Sequence, residues 1–568
     1  MGRIVGIDLG TTTSEIAYIK NGKPEIIKNG YSSITPSVVG LSKNMELLVG
    51  EPAKNQMLTA KDRTVLEVKR KMGTSESVVM AGKKFSPVDI SALILKELKR
   101  VGEDFLHESI TDAVITVPAN FNDIQRKATK DAGEKAGLNV VRIINEPTAA
   151  ALAYGIDNNR VEGKLLVYDL GGGTFDVTVL EMIEGSLDVL ASRGINRLGG
   201  KDFDEKIEEE ILSKIQKEYA IDLSRDIKAR ARIKGAAEEA KIRLSSVSTA
   251  EISLPFIAMK DGEAISFEMD LTRSEYEKLI AGYVKQSLGA VNEALTAAKL
   301  KESDIDIVIA VGGSSRTPLI QAVLGKRFPG KIRGGVNPDE AVALGAAVQA
   351  GLINNELSQA DDIAIFDVCS HSLGVETYVE TSHGKEYGRF FKLIPRDTHL
   401  PYSITRTCYP EYDYQTSINI RIYQGEESVV AYNTFIDSLQ VSGIPATKKE
   451  EAGVDLTYSY NYNGILDVKA RVCSTGREVG VRINMLDKIT SISEAKVQND
   501  DLEWENYTLA SEIKTTMGLY QERRQLLPDE AKRNADALAQ QLKKAAMDGD
   551  SKRIEELDDA LTALLFEF

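Results

Sequence analysis

Two stretches of this chain carry the same pattern: an apolar strand, then Asp-Leu-Gly, then small hydroxyl-bearing or glycine residues. The first runs from Ile4 through Asp8, Leu9 and Gly10 to Thr11, Thr12, Thr13 and Ser14. The second, 161 residues later, runs from Leu165 through Asp169 and Leu170 to Gly171, Gly172, Gly173, Thr174, Phe175 and Asp176. Each reads as a buried strand entering a tight turn. Small residues let backbone N–H groups approach an anion, and such concavities hold phosphates. An Asp at the strand end is placed to hold hydrated Mg²⁺. One such turn is a weak signal. Two matched copies, joined by a third glycine motif at Gly312-Gly313-Ser314-Ser315, predict two related lobes gripping a nucleotide's phosphates from both sides.

A chain of 568 residues is too long for a single core, so several domains are expected. A formal net charge of −15 argues against general nucleic-acid binding, because phosphate backbones recruit basic surfaces. No run reaches the roughly 18 apolar residues a membrane helix needs. No basic-then-apolar leader opens the chain. Cys369, Cys408 and Cys473 are far apart, without zinc spacing, and read as free thiols of a reducing, cytoplasmic compartment. The sequon Asn506-Tyr507-Thr508 reads as chance there.

Residues 1 to about 352 alternate strand and helix patterns, the signature of an α/β architecture. Ala113–Pro118 and Asp304–Val311 read as buried strands, and the run near Ala229 to Leu244 as a helix. A polar stretch, Asn354 to Asp362, closes this region. The apolar run Ile363–Phe366 follows and fits two readings: the first strand of the next domain, or a tether that docks and undocks. From Asp367 to about Leu486 the period becomes two. Ile418, Ile420 and Ile422 alternate with Asn419 and Arg421. Val454 to Tyr462 and Leu466 to Val472 flank Asn463-Gly464, a strong hairpin signal. This predicts an antiparallel sandwich or half-barrel. The last 80 or so residues are charged and helical. Pro528 suits a helix start, Ala535, Leu538, Leu542 and Ala545 form one stripe, and Ile554, Leu557, Leu561 and Leu564 form another. Asp548 to Ser551 breaks between them, which predicts a helical hairpin.

These motifs, together with Val117-Pro118-Ala119-Asn120-Phe121-Asn122-Asp123, Ile143–Ala150, Val311–Arg316 and Asn337–Ala343, resemble the seventy-kilodalton heat-shock family of ATP-driven chaperones, of the bacterial DnaK type. The resemblance implies a two-lobed actin-like (ribonuclease H-like) ATPase domain over residues 1–352 and a linker over 353–366. It also implies a β-sandwich peptide-binding domain over 367–487 and a short helical lid over 488–568. It implies ATP or ADP with Mg²⁺, and K⁺ as a further ion. By matched position, Asp8 and Asp169 hold Mg²⁺ through water, and Lys69 contacts the terminal phosphate and attacking water. Glu146 and Asp176 position water and ions, while Thr11 and Thr174 bond phosphate oxygens. Gly10, Thr12, Thr13, Gly171, Gly172, Gly173, Gly200 and Asp339 complete the nucleotide site, with Glu238, Lys241, Ser245, Gly313, Ser314 and Arg316 around adenosine. Ile242 stands where some members place an arginine over the base.

The resemblance further implies a nucleotide-state relay through Pro118, Arg126 and Glu146. Arg142 and Asp367 match positions of J-domain contact and interdomain coupling. Surface ion pairs and a strand-ending proline would account for these residues nearly as well. Val375, Thr377, Ile418 and Ile420 match the peptide pocket, although ordinary core describes the valine and both isoleucines equally. Departures cluster here: Glu411 replaces a small apolar arch residue, Tyr378 replaces the arch residue opposite it, Cys408 replaces a pocket phenylalanine, and residues 379–400 are about eight longer than usual. Cys369-Ser370 replaces the usual Thr-Pro, and Asn196-Arg197 a Thr-His pair. The chain ends without the acidic tetrapeptide of eukaryotic members. The expected partners are extended apolar peptides of unfolded proteins, a J-domain co-chaperone and a nucleotide-exchange factor, with no nucleic acid and no membrane. Two rival readings are a small-molecule kinase of the actin-like superfamily and a nucleotide-binding co-chaperone or exchange regulator. Lys69, Asp169 and Thr174 speak against the second, because a dead ATPase has no use for them.

Overall fold

In a computed structural model the chain forms two compact units, Met1–Ser491 and Ile492–Phe568. The structure describes residues 2–57, 59–157, 162–183, 186–334, 336–357, 364–381, 384–461 and 465–484, helical positions 513, 516–517, 520 and 523, and helices 529–548 and 551–567. Ile363, the Asn463-Gly464 turn, the sequon, Pro528 and Gly549-Asp550 lie outside the described residues.

The first unit contains two sheets of the same design. Strands β1 (Arg3–Asp8), β2 (Thr13–Lys20), β3 (Lys23–Ile26), β4 (Ile110–Val117) and β5 (Asn139–Asn145) lie in the order β5-β4-β1-β2-β3. Strands β6 (Gly163–Leu170), β7 (Phe175–Ile183), β8 (Ser186–Ile195), β9 (Ile307–Val311) and β10 (Ile332–Arg333) lie in the order β10-β9-β6-β7-β8. In each sheet the glycine turn joins an antiparallel pair, β1 to β2 and β6 to β7. In each, the strand that enters the turn is also flanked by a parallel neighbour, β4 or β9. Helices α1 (Asp123–Lys135), α2 (Glu146–Asp157), α3 (Pro318–Arg327) and α4 (Ala341–Ile353) occupy matching places after β4, β5, β9 and β10. The repeat in sequence is thus a repeat of topology.

Helices α2 and α4 share one buried core with both sheets, which includes Ile4 and Ile19 from the first, Leu165 and Val167 from the second, and Ala149–Leu152 and Ala346–Val348 between them. The helices can approach this closely because their facing residues are small. A Cβ on Gly345 would lie 1.7 Å from the Ala149 carbonyl oxygen. The strand in the Asp304–Val311 run is shorter than its apolar pattern: Glu302–Asp304 is a 3₁₀ turn and β9 begins at Ile307. The backbone N–H groups of Lys301 and Asp304 are satisfied locally there, by the Asp304 carboxylate and the Lys301 carbonyl, which favours the turn over the ladder.

Strand β11 (Ala364–Phe366) runs parallel to β8 and extends the second sheet at its edge, with Ile365 opposite Leu187. It therefore begins no new sheet. Two antiparallel four-stranded sheets follow: β12 (Leu373–Thr381), β13 (Gly384–Ile394), β15 (Ser417–Gln424) and β16 (Thr434–Ser442) in the order β13-β12-β15-β16, against β14 (Tyr402–Cys408), β17 (Val454–Tyr460), β18 (Ile465–Val472) and β19 (Glu478–Asn484) in the order β14-β17-β18-β19. Their inward positions, among them Ile420, Ile422, Leu456, Tyr458, Leu466 and Val468, form one core, as period-two alternation requires. Residues 379–400, expected to be longer than usual, take in the end of β12 and all of β13.

This sandwich lies against the lobes and shares the first unit with them. Asp123 at the head of α1 receives hydrogen bonds from Gln424 Nε2 at 2.5 Å and Tyr460 Oη at 2.9 Å. Arg193 pairs bidentately with Asp397 at 2.9 and 2.7 Å, and Arg396 donates to the Ser192 carbonyl at 2.8 Å. In the second unit, helices Asp529–Asp548 and Ser551–Glu567 enclose Ala535, Ala539, Leu542, Ile554, Leu557, Leu561 and Leu565. The two stripes read from the sequence meet in this hairpin, with Leu538 and Leu564 at its margin.

Candidate functional site: the cleft between the twin turns

The two glycine turns touch. A Cβ on Gly172 would come within 2.0 Å of Thr12 Oγ1, and one on Gly173 within 2.6 Å of Thr11 Cγ2. No other residue type allows both turns to close on the same space. The first turn is braced from behind, where Ser14 Oγ accepts from the Gly10 N–H at 3.1 Å and Ser37 Oγ donates to the Gly10 carbonyl at 2.8 Å. The second is braced by Ser314 Oγ, which donates to the Gly171 carbonyl at 2.9 Å, and by the Gly200 N–H, which donates to the same oxygen at 3.0 Å.

Acidic side chains converge on this cleft. Asp8 ends β1 and accepts a hydrogen bond from Thr116 Oγ1 of β4 at 2.7 Å. Asp169 lies near the end of β6, Asp176 lies in β7, and Glu146 opens α2. Burial pushes Asp169 well above the ordinary carboxylate range, and the charges of Glu146, Asp176 and Asp8 push it further. Burial, with Glu146 beside it, raises Asp176 to about 8. Glu15, buried behind Asp8, is likewise pushed well up by burial and by the Asp8 charge. Facing these carboxylates is Lys69, on the short 3₁₀ turn Val68–Lys71, with its Nζ 2.5 Å from Glu146 Oε1. Burial alone would drive the ammonium toward its neutral form, but Glu146, Asp8 and Asp169 outweigh it and hold the pKa above the ordinary lysine value.

Asp8, Glu146, Asp169 and Asp176 crowd around one lysine, and their raised pKa values express burial and mutual repulsion that a divalent cation would relieve by favouring the ionised carboxylates. In the turn beside them, the Thr12 hydroxyl oxygen is shielded from solvent and has no hydrogen-bond partner among the described residues. An unmet donor next to a cation-seeking cluster fits a magnesium-bound phosphate chain.

Farther out, Arg316 bridges Asn337 and Asp339, at 2.7 Å each. Gly313 packs against the same Asp339. Lys241 pairs with Asp204 at 2.7 Å and donates to the Gly200 carbonyl at 3.2 Å, while Glu238 reaches Lys201 at 3.4 Å. Ser245 caps the C-terminus of the helix bearing both, and Ile242 is exposed on it. Thr13 pairs with Pro36, and Thr174 accepts the Gly171 N–H through its carbonyl.

A chain of bonds leads away from the cleft. Pro118 follows β4, and Arg126 on α1 donates to the Ala119 and Phe121 carbonyls and, at 2.6 Å, to Asn145 Oδ1. Asn145 precedes Glu146 and donates to Asp367 Oδ2 at 2.7 Å. Asp367 follows β11, and burial raises its pKa against the opposing charges of Arg126 and Arg142. Arg142 lines a cavity of about 370 Å³ with Ile365, Phe366, Leu400 and Pro401. Sequence reading missed Asn145, Asp123, Gln424 and Tyr460 as linking residues, together with Arg70, which bonds the Gly173 carbonyl and Asp202. Their partners are up to 337 residues away, and a local pattern carries no sign of them.

In the sandwich, Val375, Ile418 and Cys408 are partly buried against the core and Ile420 is buried in it. Cys408 Sγ is held by the Val454 carbonyl at 3.3 Å. Thr377 is partly buried on β12. Tyr378 and Glu411, separate in sequence, meet around Lys385.

The family model described as Hsp70 protein matches residues 4–565. The chain is 44% identical over 491 residues to the chaperone protein DnaK of Thermotoga petrophila, covering 86% of this chain and 81% of that protein. It matches the chaperone protein DnaK of Thermotoga sp. strain RQ2 to the same extent. A match that runs through the twin-turn cleft, the sandwich and the helical hairpin alike leaves the kinase reading without support, and the chain belongs to the Hsp70 family of ATP-hydrolysing chaperones.

Proposed function

We propose that the twin-turn cleft hydrolyses ATP and that its nucleotide state sets how tightly the sandwich holds an extended apolar segment of an unfolded protein. The observation that carries this reading is the unbroken path of bonds from the Lys69–Glu146 pair through Asn145 to Asp367. Asp8 and Asp169 would hold Mg²⁺ through water, and that ion supplies charge neutralisation for the phosphates. Thr11, Thr12, Thr13 and Thr174 offer hydroxyls to phosphate oxygens, beside the close-packed Gly10, Gly171, Gly172, Gly173 and Gly200. Lys69, charged and fixed by Glu146, would supply positive charge that favours attack on the terminal phosphorus, and Asp176 would orient the attacking water. Phosphoryl transfer to water demands mostly positioning and electrostatics, which these side chains supply. Glu238, Lys241, Ser245, Gly313, Ser314, Arg316 and Asp339 border the adenosine. A K⁺ ion fits the same crowded carboxyl groups.

Pro118, Arg126, Arg142 and Asp367 would report the nucleotide state to the strand at Ala364–Phe366. Because coupling is reciprocal, a nucleotide that weakens peptide binding is itself weakened by peptide. The three cysteines are unpaired, which suits a reducing cytoplasm, and among the described residues no helix is long and apolar enough to cross a membrane. A J-domain protein and a nucleotide-exchange factor complete the cycle as partners. The test is a titration of the full chain with a labelled apolar heptapeptide, with ATP and with ADP. Binding should be about 5- to 150-fold tighter with ADP, the usual range of such coupling. Equal affinity in both would refute the coupling.

A further inference from the structure

The Lys385 ammonium is contacted by side chains from separate segments. It lies 4.3 Å from the ring centroid of Tyr378, 5.2 Å from that of Tyr412 and 3.1 Å from Glu411 Oε1. Glu411 also accepts from the Tyr387 hydroxyl, and the Tyr387 ring packs on that of Tyr378 with centroids 5.8 Å apart. Tyr378 lies on β12, Lys385 and Tyr387 on β13, and Glu411 and Tyr412 in the loop between β14 and β15. That loop is itself stiffened by Gln415, which accepts from the Glu411 N–H at 2.9 Å and donates to the Ser417 carbonyl at 2.7 Å.

The resemblance places Tyr378 and Glu411 on the two sides of the arch over the peptide groove, with Glu411 where the family carries a small apolar residue. The geometry points to Lys385 as the keystone of a charged and aromatic latch that closes this arch and sets how long a bound segment is retained. The inference rests on the peptide-binding reading of the sandwich. An exposed ion pair alone contributes little, because both side chains pay entropy and salt screens the attraction. Here the lysine and glutamate side chains are only 26% and 24% exposed, two rings face the cation, and a tyrosine holds the carboxylate. Cation–π attraction adds to the pair, and the ring faces limit where the ammonium can go. The consequence has a sign that an apolar arch would lack. Salt shortens the screening length from about 10 Å at 0.1 M to about 3 Å at 1 M, so it weakens this latch, whereas it does not loosen apolar contacts.

The experiment measures release of a labelled apolar heptapeptide from the full chain with ADP, between 0.05 and 1 M sodium chloride. The unaltered protein should release it faster as salt rises. Lys385→Met, which keeps the aliphatic stem, should release it about five- to tenfold faster at low salt and lose the salt dependence. Glu411→Gln should act in the same direction, and Lys385→Arg, which keeps a cation over the rings, should restore slow release. If Lys385→Met lowers the melting temperature, Glu411→Gln carries the test. Normal peptide binding with unchanged release and salt dependence in both variants would overturn the latch and leave the peptide-binding reading intact. No peptide binding by the unaltered protein with either nucleotide would overturn both.

Discussion

Lys69 is a buried ammonium among buried carboxyl groups. Its 2.5 Å bond to Glu146 fixes its position, and Glu146, with Asp8 and Asp169, keeps it protonated. Replacing it removes a preorganised charge from the cleft while leaving the two turns in place. Lys69→Met should therefore lower the single-turnover rate of ATP hydrolysis by about 10²- to 10³-fold, the usual cost of losing one preorganised electrostatic group. Nucleotide should still bind, and Glu146, already raised by burial, would take up a proton. Rapid-quench hydrolysis paired with calorimetric binding separates the two effects, and loss of binding alone would contradict the role. The motif residues Asp8, Asp169 and Gly171–Thr174 were legible because each obeys a local rule: strand end, then small residues. Lys69 carries no local signal and was legible only by family likeness. Asn145 and Asp123 were not legible as links, since their partners Asp367, Gln424 and Tyr460 lie hundreds of residues on.

At the scale of elements, the proposed coupling between the two parts of the first unit would run through the short strand Ala364–Phe366. Three residues add to the edge of a sheet whose opposite end carries the glycine turn of β6 and β7. Ile365 packs onto the core shared by both lobes. Ile365→Asp would place a carboxylate in this partly buried position at a cost of about 2 kcal/mol or more. The strand should leave the sheet, hydrogen exchange at Ser186–Asp188 should accelerate, and ATP should cease to speed peptide release while still being hydrolysed. Retained ATP response would show that the strand is not the coupling element. The periodicity of this run marked it as apolar and short but did not say which sheet would take it. An edge strand pairs through backbone groups that every sequence shares, so its partner is decided by geometry.

Across the whole molecule, the junction between lobes and sandwich is polar and partly buried. Arg193–Asp397, Asp123 with Gln424 and Tyr460, and Arg396 on the Ser192 carbonyl hold it. His371 lies in this junction, and burial, with the Arg396 charge beside it, lowers its pKa to about 4. The unfolded chain takes up that proton near 6.5 and the folded chain only near 4. Between these values the unfolded state binds more protons, so this contribution is complete above about pH 6.5 and is lost as pH falls toward 4. The loss should be on the order of 3 kcal/mol. Calorimetric melting of the unaltered protein from pH 7 to 4 should show it, and His371→Gln should flatten that slope. An identical slope in the variant would assign the acid sensitivity elsewhere.

The amino-acid sequence alone determined the twin phosphate turns, the change from α/β alternation to period-two strands, the helical hairpin and the family. Each of these is written in residue types at short spacing, where backbone conformation and amphipathic periodicity are local properties. Only the tertiary structure decided that the two sheets repeat one topology around α2 and α4, that Ala364–Phe366 joins the second of them, and that Lys385 draws Tyr378, Tyr412 and Glu411 together. Such contacts depend on closing loops of tens to hundreds of residues, and their free energy belongs to the assembled core and to no single stretch of chain.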